Sequence, residues 1–302
     1  MDSSNEIREF LTSRRSRLTP EQAGLPNYGG RRRVPGLRRE EVALLAGMST
    51  EYYVRLERGN ATGVSDAVLE GISRALQLDD AERSHLFDLA RAANAGIRPP
   101  ARRPSRTASV RASVQQTIDA MTTVPVFVQN GRLDAVAANS LGRALFSFMY
   151  DDPAHPTNAA RFVFLDARAA DFYRDWEGTA QQIVAILRTE AGRSPYDRAL
   201  TDLVGELSTR SDLFRTLWAS HNVREHKTGI KKIHHPVVGD LDLTYEGMEL
   251  ASEKGLLLLA YSAAPGSPSH DGLQLLANWA ATNVRASAPA DADTPSNRRH
   301  GL

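Results

Sequence analysis

Along the first third of the chain, apolar residues recur at the three- and four-residue intervals of an α-helix. Ile7, Phe10 and Leu11 form one stripe on a short helix that must end before Pro20. After a loop containing Asn27-Tyr28-Gly29-Gly30, the pattern predicts helices over Arg38–Ala46 and Thr50–Arg58. Ser65 is placed to cap a fourth, on which Val68, Leu69, Ile72, Ala75 and Leu76 share a face. A fifth covers Asp79–Ala93, with Leu86, Phe87, Leu89 and Ala90 inward. The expectation is an all-α unit of five helices over residues 1–96.

The periodicity then breaks. Ile97–Thr107 reads IRPPARRPSRT, with three prolines, four arginines and little to bury, so residues 97–111 are expected to form a linker. Beyond it, Val126-Phe127-Val128 and Leu133–Ala138 flank Gln129-Asn130-Gly131 and predict a β-hairpin, Asn-Gly supplying the positive φ of a tight turn. Helices are predicted over Trp176–Arg193, Tyr196–Ser208 and Asp212–Asn222, strands over Ile230–Val238, Leu241–Glu249 and Leu256–Tyr261, and a last helix over Asp271–Thr282. This order suits an α+β domain with one antiparallel sheet over residues 112–284. The remainder, 285–302, is rich in Ala, Pro, Asp and Ser and reads as a disordered tail.

Charge sharpens the division. Residues 1–111 hold 19 arginines against 14 acidic residues, a net of +5, while the whole chain carries only +1. A basic front beside an acidic remainder suggests that the front binds a polyanion. The 302 residues include no cysteine, which excludes disulfides, thiolate metal sites and a cysteine nucleophile. The longest apolar run, Gly255–Tyr261, is strand-sized, and no apolar stretch follows the first charges. A cytoplasmic protein with no membrane span and no secretory leader is therefore expected.

The most informative segment is Arg39–Arg58, REEVALLAGMSTEYYVRLER. Two helices that cross tightly need a small residue at the crossing, here Ala43, and a chain reversal at positive φ, here Gly47. Ser49 then caps the second helix, leaving Val42, Ala46, Tyr53 and Leu56 as the buried set. In this helix-turn-helix, Ser49, Thr50 and Glu51 would lie deepest in a DNA major groove. Arg55, one turn on, is placed to read a guanine edge, and Tyr52 and Arg58 to contact phosphate. Arg31, Arg32, Arg33, Arg38 and Arg39 would anchor the sugar–phosphate backbone. Glu51 also reads as a charge favoured by the helix dipole, and Arg55 as one member of a solvated face.

Arg32–Asn60, RRVPGLRREEVALLAGMSTEYYVRLERGN, resembles the helix-turn-helix of the Xre and lambda-repressor-like superfamily, in the subfamily named for MmyB regulators. The stretches Met121–Asn139, Ala160–Glu177 and His234–Glu246 are similar to that family's C-terminal domain. The resemblance implies a PAS-like domain whose pocket holds a fatty acid or comparable apolar ligand, with no other cofactor.

Such a pocket needs an apolar wall and few polar anchors. Phe127, Val136, Phe146, Phe162, Phe164, Trp176 and Trp218 are candidates for the wall or for ordinary core. Asn139, His221, Asn222 and Arg224 are the candidate anchors, Arg224 and His221 being suited to a carboxylate or, equally, to the end of a helix. No metal site is expected, because His234 and His235 on one strand face opposite sides and His221 and His226 flank a helix end. Asp240 and Asp242 read as a turn-edge pair. With no phosphate loop and no G-x-S-x-G turn, catalysis is not expected.

These expectations describe a regulator that binds a double-stranded DNA operator, senses a small apolar or carboxylate ligand and pairs with itself to read a palindrome. The alternative is a scaffold whose Xre-like domain docks onto another protein.

Overall fold

A computed structural model of the chain describes residues 3–26, 36–94, 109–151, 157–223 and 228–287. The first domain comprises α1 (Ser3–Arg17), α2 (Arg39–Ala46), α3 (Thr50–Glu57), α4 (Asp66–Ala75) and α5 (Asp80–Asn94). Local chemistry sets the ends of these helices. The Glu41 side chain accepts from the backbone N–H of Arg38 (2.6 Å), closing the start of α2. At its other end Gly47 adopts φ 68°, and the N–H groups of Gly47 and Met48 donate to the carbonyls of Leu44 and Ala43. Ser49 and Ser65 cap α3 and α4 by accepting from Tyr52 N and Val68 N.

The apolar stripes meet in one core. Ile7, Phe10, Leu11, Leu37, Val42, Ala43, Tyr53, Leu56, Leu69, Ile72, Leu86 and Leu89 are all buried in it. Of the set expected at the helix crossing, Ala46 is only half-buried, and the fully buried small residue is Ala43.

The second domain begins with α6 (Ala112–Asp119), β1 (Val126–Asn130) and β2 (Ala135–Ala138). Next come α7 (Ser140–Leu145), a 3-10 turn (Ser147–Tyr150), α8 (Ala159–Leu165) and α9 (Ala169–Phe172). The helices α10 (Trp176–Arg193), α11 (Arg198–Arg210) and α12 (Asp212–Trp218) lead into β3 (Thr228–His235), β4 (Gly239–Glu249), β5 (Leu256–Ser262) and α13 (Pro268–Ser287). Among the described residues the strands form one antiparallel sheet in the order β2-β1-β5-β4-β3. Phe127 stands opposite Leu259, Tyr245 opposite Tyr261 and Lys231 opposite Leu243. Strands β3 and β4 alternate strictly, so Lys231, Ile233, His235, Leu241, Leu243 and Tyr245 point into the domain. Strand β1 is buried on both faces because α6 covers the side opposite the main core, with Ile118, Val126, Val128 and Leu258 between them.

Several details depart from the sequence reading, among them the end of β3 at His235, three residues before the expected Val238. The left-handed residue of the hairpin is Leu133 (φ 67°), two residues beyond Gly131, since the loop is longer than a two-residue turn. Helix α6 was not anticipated. Helix α12 stops at Trp218, four residues early, because His221 takes a left-handed conformation (φ 55°). The last helix runs to Ser287, so 285–287 of the expected tail are helical. The rest of that tail, and all of the linker before Ser109, lie outside the described residues.

Gly47 has open space around the position a Cβ would take, so a side chain there costs only the left-handed backbone. Gly47→Ala is expected to destabilise the helical domain by about 1 kcal/mol, lowering its thermal midpoint by roughly 4–8 °C. Gly47→Asn is expected to cost less, because asparagine tolerates this conformation. Calorimetry of both variants checks the ordering.

Candidate DNA-reading face and ligand cavity

Helix α3 is held from behind by a buried carboxylate. Glu57, at its last turn, is 2% exposed and accepts from Arg15 of α1 (2.5 Å) and from Arg39 of α2. Arg15 also donates to the Leu37 carbonyl (2.8 Å), so three helices share one ion cluster. Removing a carboxylate from water is costly unless several donors replace the solvent, and here two guanidinium groups do so.

The opposite face of α3 is open. Thr50, Glu51, Val54, Arg55, Arg58 and Asn60 line one shallow groove along it. The Arg55 guanidinium rests 4.7 Å from the centre of the Tyr52 ring, one turn back on the same helix. The Ser49 hydroxyl caps the helix and faces solvent. Arg38 is exposed at the start of α2, and its guanidinium pairs with Glu40 (3.3 Å). Arg39 is half exposed although it shares Glu57. Arg31, Arg32 and Arg33 lie outside the described residues.

In the second domain a cavity of about 580 Å³ opens between α10, β3, β4 and residues 222–223. Its wall carries Arg174, Lys231 and Lys232 beside Gln181, Gln182, Thr179 and Tyr245, with Asp175 as an acidic member. Asp175 is occupied in capping α10 through Gly178 N (3.0 Å). Lys231 is 8% exposed, donates to Gln182 Oε1 (3.0 Å) and lies between the rings of Tyr173 and Tyr245. Gln182 in turn donates to the Tyr245 hydroxyl (2.6 Å). Arg174 is clamped by Asp240 (2.9 Å) and Asp242 (2.5 Å), which explains the acidic pair on β4.

The residues expected to line a pocket are distributed differently. Phe127 and Phe146 pack on each other and on Tyr261 in the core. Val136 is half-buried on β2. Phe164 packs edge-on against Phe214, and the Trp176 indole donates to the Val163 carbonyl (3.0 Å). Phe162 lines a second cavity of about 370 Å³ with Phe148, Met149, Arg161 and Glu206. Asn139 is 2% exposed; its oxygen accepts from Val126 N and Gly142 N, and its amide donates to the Met121 and Val124 carbonyls. That side chain is fully used in closing the hairpin onto α7. Asn222 does line the larger cavity. Arg224 lies outside the described residues. Arg174, Gln182, Lys231 and Tyr245 were missed as lining residues. The alternation of β3 held the signal for Lys231, which occupies an inward position in register with Ile233 and His235.

Trp218 packs within its own domain, whereas His221 faces the helical domain. Trp218 stacks on Phe214 and lies beneath the Arg188 guanidinium (4.1 Å). His221 Nδ1 accepts from Arg188 (2.9 Å), so the proton sits on Nε2, which donates to Glu9 of α1 (3.1 Å). A second proton would point at a guanidinium. Burial, together with Arg188, Arg14 and Arg17, pushes the imidazole down to about 4. His85 of α5, behind it, is pushed down to about 3 by burial and by Arg188, Arg14 and Arg193. His234 is exposed and paired with Asp240, whereas His235 is buried against the Ala144 carbonyl (3.1 Å). Among the described residues, no group of three or more His, Cys, Asp or Glu side chains has the arrangement to hold a metal ion, and no helix is long and apolar enough to cross a membrane.

A helix-turn-helix with an open basic face, joined to a separate α+β domain containing a polar cavity, defines a DNA-binding regulator with a ligand-binding domain. Comparison with family models agrees: residues 6–86 match a helix-turn-helix domain, and residues 110–276 match the MmyB-like transcription regulator ligand binding domain. The chain belongs to the MmyB-like transcription regulators. No curated protein matches it.

Burial depresses His221, His85 and His235, and this makes stability pH-dependent. Between about pH 6.5 and pH 4 the unfolded chain takes up protons at His221 and His85 that the folded chain refuses, so stability falls as pH drops through that window. Glu6, whose carboxyl burial pushes up, contributes with the opposite sign. The histidine part is therefore read as a difference between proteins. The thermal midpoint is expected to fall from pH 7 to pH 5 less steeply in His221→Asn, which keeps the left-handed backbone, than in the wild type. Equal slopes would show that His221 is not the titrating group.

Proposed function

We propose that the chain is a sequence-specific transcription regulator that acts in the cytoplasm as a homodimer on a palindromic operator. The observation that carries this reading is the two-sidedness of α3: Glu57 anchors one face, while Thr50, Glu51, Arg55 and Arg58 stand open on the other. Thr50 and Glu51 enter the major groove first and Arg55 donates to a guanine edge. Ser49 opens the same helix at the groove, while Tyr52, Arg58, Arg38 and Arg39, with Arg31, Arg32 and Arg33, hold the backbone. One such helix covers a half-site, so two copies read a full one.

In this reading the second domain is PAS-like, a view that the strand order β2-β1-β5-β4-β3 supports. Its effector is a carboxylate with a small apolar part, such as a fatty acid. The cationic and amide groups around the 580 Å³ cavity suit the carboxylate, and Ala185, Val223 and Ile230 suit the chain. A wholly apolar ligand fits that lining less well.

One observation favours protein docking instead: Leu44 on α2 is 71% exposed. Salt separates the two readings, because phosphate contacts weaken steeply with ionic strength and apolar docking does not.

Titration of the chain with DNA from its own upstream region, at several salt concentrations, is expected to give salt-sensitive binding of two copies per site. Arg55→Ala is expected to weaken that binding by about 1–3 kcal/mol and to relax the choice of base at one position. Salt-insensitive binding, or an Arg55→Ala variant equal to wild type on every sequence, would remove the case for base reading. For the second domain, calorimetry with octanoate and myristate against octanol is expected to show the acids binding and the alcohol not. Lys231→Met is expected to weaken the acids by about tenfold. Equal binding of acid and alcohol would leave an apolar site; binding of neither would exclude a fatty acid.

A further inference from the structure

We infer that residues 218–223, at the carbonyl end of α12, are a latch between the two domains, and that the cavity on α10 operates it; the second half rests on reading that cavity as the ligand site. The last carbonyls of a helix have no partners within it and carry the negative end of its dipole. Here the carbonyl of Trp218 and those of the two residues after the helix cap, Ser220 and His221, take guanidinium groups from both domains. Arg188 of α10 donates to Trp218 O (2.5 Å), Arg17 of α1 to Ser220 O (2.7 Å) and Arg14 of α1 to His221 O (2.6 Å).

The arginines also have carboxylate partners, Arg188 across the boundary and Arg14 within the helical domain. Arg188, 1% exposed, donates to Glu6 of α1 (2.6 Å) and to His221 Nδ1. Arg14, 4% exposed, meets Glu82 of α5 (2.8 Å) and covers the Phe10 ring. Breaking one of these pairs leaves a buried charge without its partner, so the cluster holds as a unit or releases as a unit.

The latch and the cavity share two elements. Val223 is buried in the core of the helical domain and lines the cavity with Asn222. Helix α10 presents Gly178, Gln182 and Ala185 to the cavity, Arg188 to the latch one turn later, and Gly192 to the DNA-binding domain a turn beyond. Gly192 lies so close to α5 that a Cβ there would be 2.6 Å from the His85 ring. A ligand that shifts either element therefore changes how the helical domain is seated. By linkage, a seated helical domain changes the affinity of the cavity by the same factor.

Hydrogen–deuterium exchange on the full chain tests this without DNA or ligand. Gly192→Ala adds one methyl at the boundary and no charge, and alanine favours the helix it sits in. Glu6→Ala removes the cross-domain partner of Arg188. Each is expected to speed exchange in α1 and in 218–223 by about tenfold, with α2 to α4 and β3 to β5 unchanged. Ala185→Phe fills the cavity from within, and Gln182→Phe fills it from the half-buried rim should the first not fold. Either is expected to change exchange in α1 by a similar factor. Wild-type protection of 218–223 in both Gly192→Ala and Glu6→Ala would overturn the latch. A cavity-filling variant that folds and leaves α1 unchanged would overturn the coupling. An Arg55→Ala protein that reads DNA like wild type would sink the regulator reading and leave these outcomes standing.

Discussion

Arg188 sits in the middle of an 18-residue helix with 1% of its surface exposed, and a guanidinium in that position needs partners that its own domain does not fully supply. The charge is permanent at any physiological pH, so it must be solvated by protein groups or the helix must stay out. Trp218 O, the Trp218 ring and His221 provide part of that shell from within the domain, and Glu6 provides the carboxylate from the other one. The seating of the helical domain follows from this requirement. Arg14, Glu82, Glu9, His85 and Gly192 then settle around the same spot, and the histidines stay neutral because they are buried and have cations beside them.

The same solution appears on a smaller scale at Glu57, where the charge is a carboxylate and the shell consists of Arg15 and Arg39. There the cluster fixes α3 against α1 and α2, leaving its outer face free for a polyanion. A protein with 37 basic residues and no cysteine has neither disulfides nor thiolate metal sites with which to staple its elements. Buried arginine–carboxylate clusters fill that role within the helical domain and between the two domains. They specify geometry more than they add stability, since replacing such a cluster with apolar residues often costs little.

Much of the fold was legible in the chain, because the signals that set it are local. Helical periodicity, Ser49 and Ser65 as caps and Gly47 as a left-handed stop act over three to five residues, and they placed α2 to α5 within a residue or two. Alternation placed β4 within two residues but put the end of β3 three residues late, and the apolar run placed β5. The resemblance to MmyB-like regulators rested on such segments and is matched by the family models. The candidate pocket was less legible. Phe127, Phe146, Phe162 and Phe164 are large apolar residues on inward faces, and sequence does not say whether an inward face meets a cavity or another ring. Asn139 looked like a ligand anchor because it follows a strand, yet its four hydrogen-bonding positions are all taken by backbone.

The sequence by itself therefore determined the element order, the two-domain organisation and which face of α3 is left open, each a property of residues near one another along the chain. Tertiary structure alone decided where the cavity lies and how the domains are joined. Lys231 reaches Gln182 across 49 positions and Arg188 reaches Glu6 across 182. Pairings at such separations leave no periodic trace in a single sequence. They arise only when packing brings buried charges within reach of one another and each must find a partner.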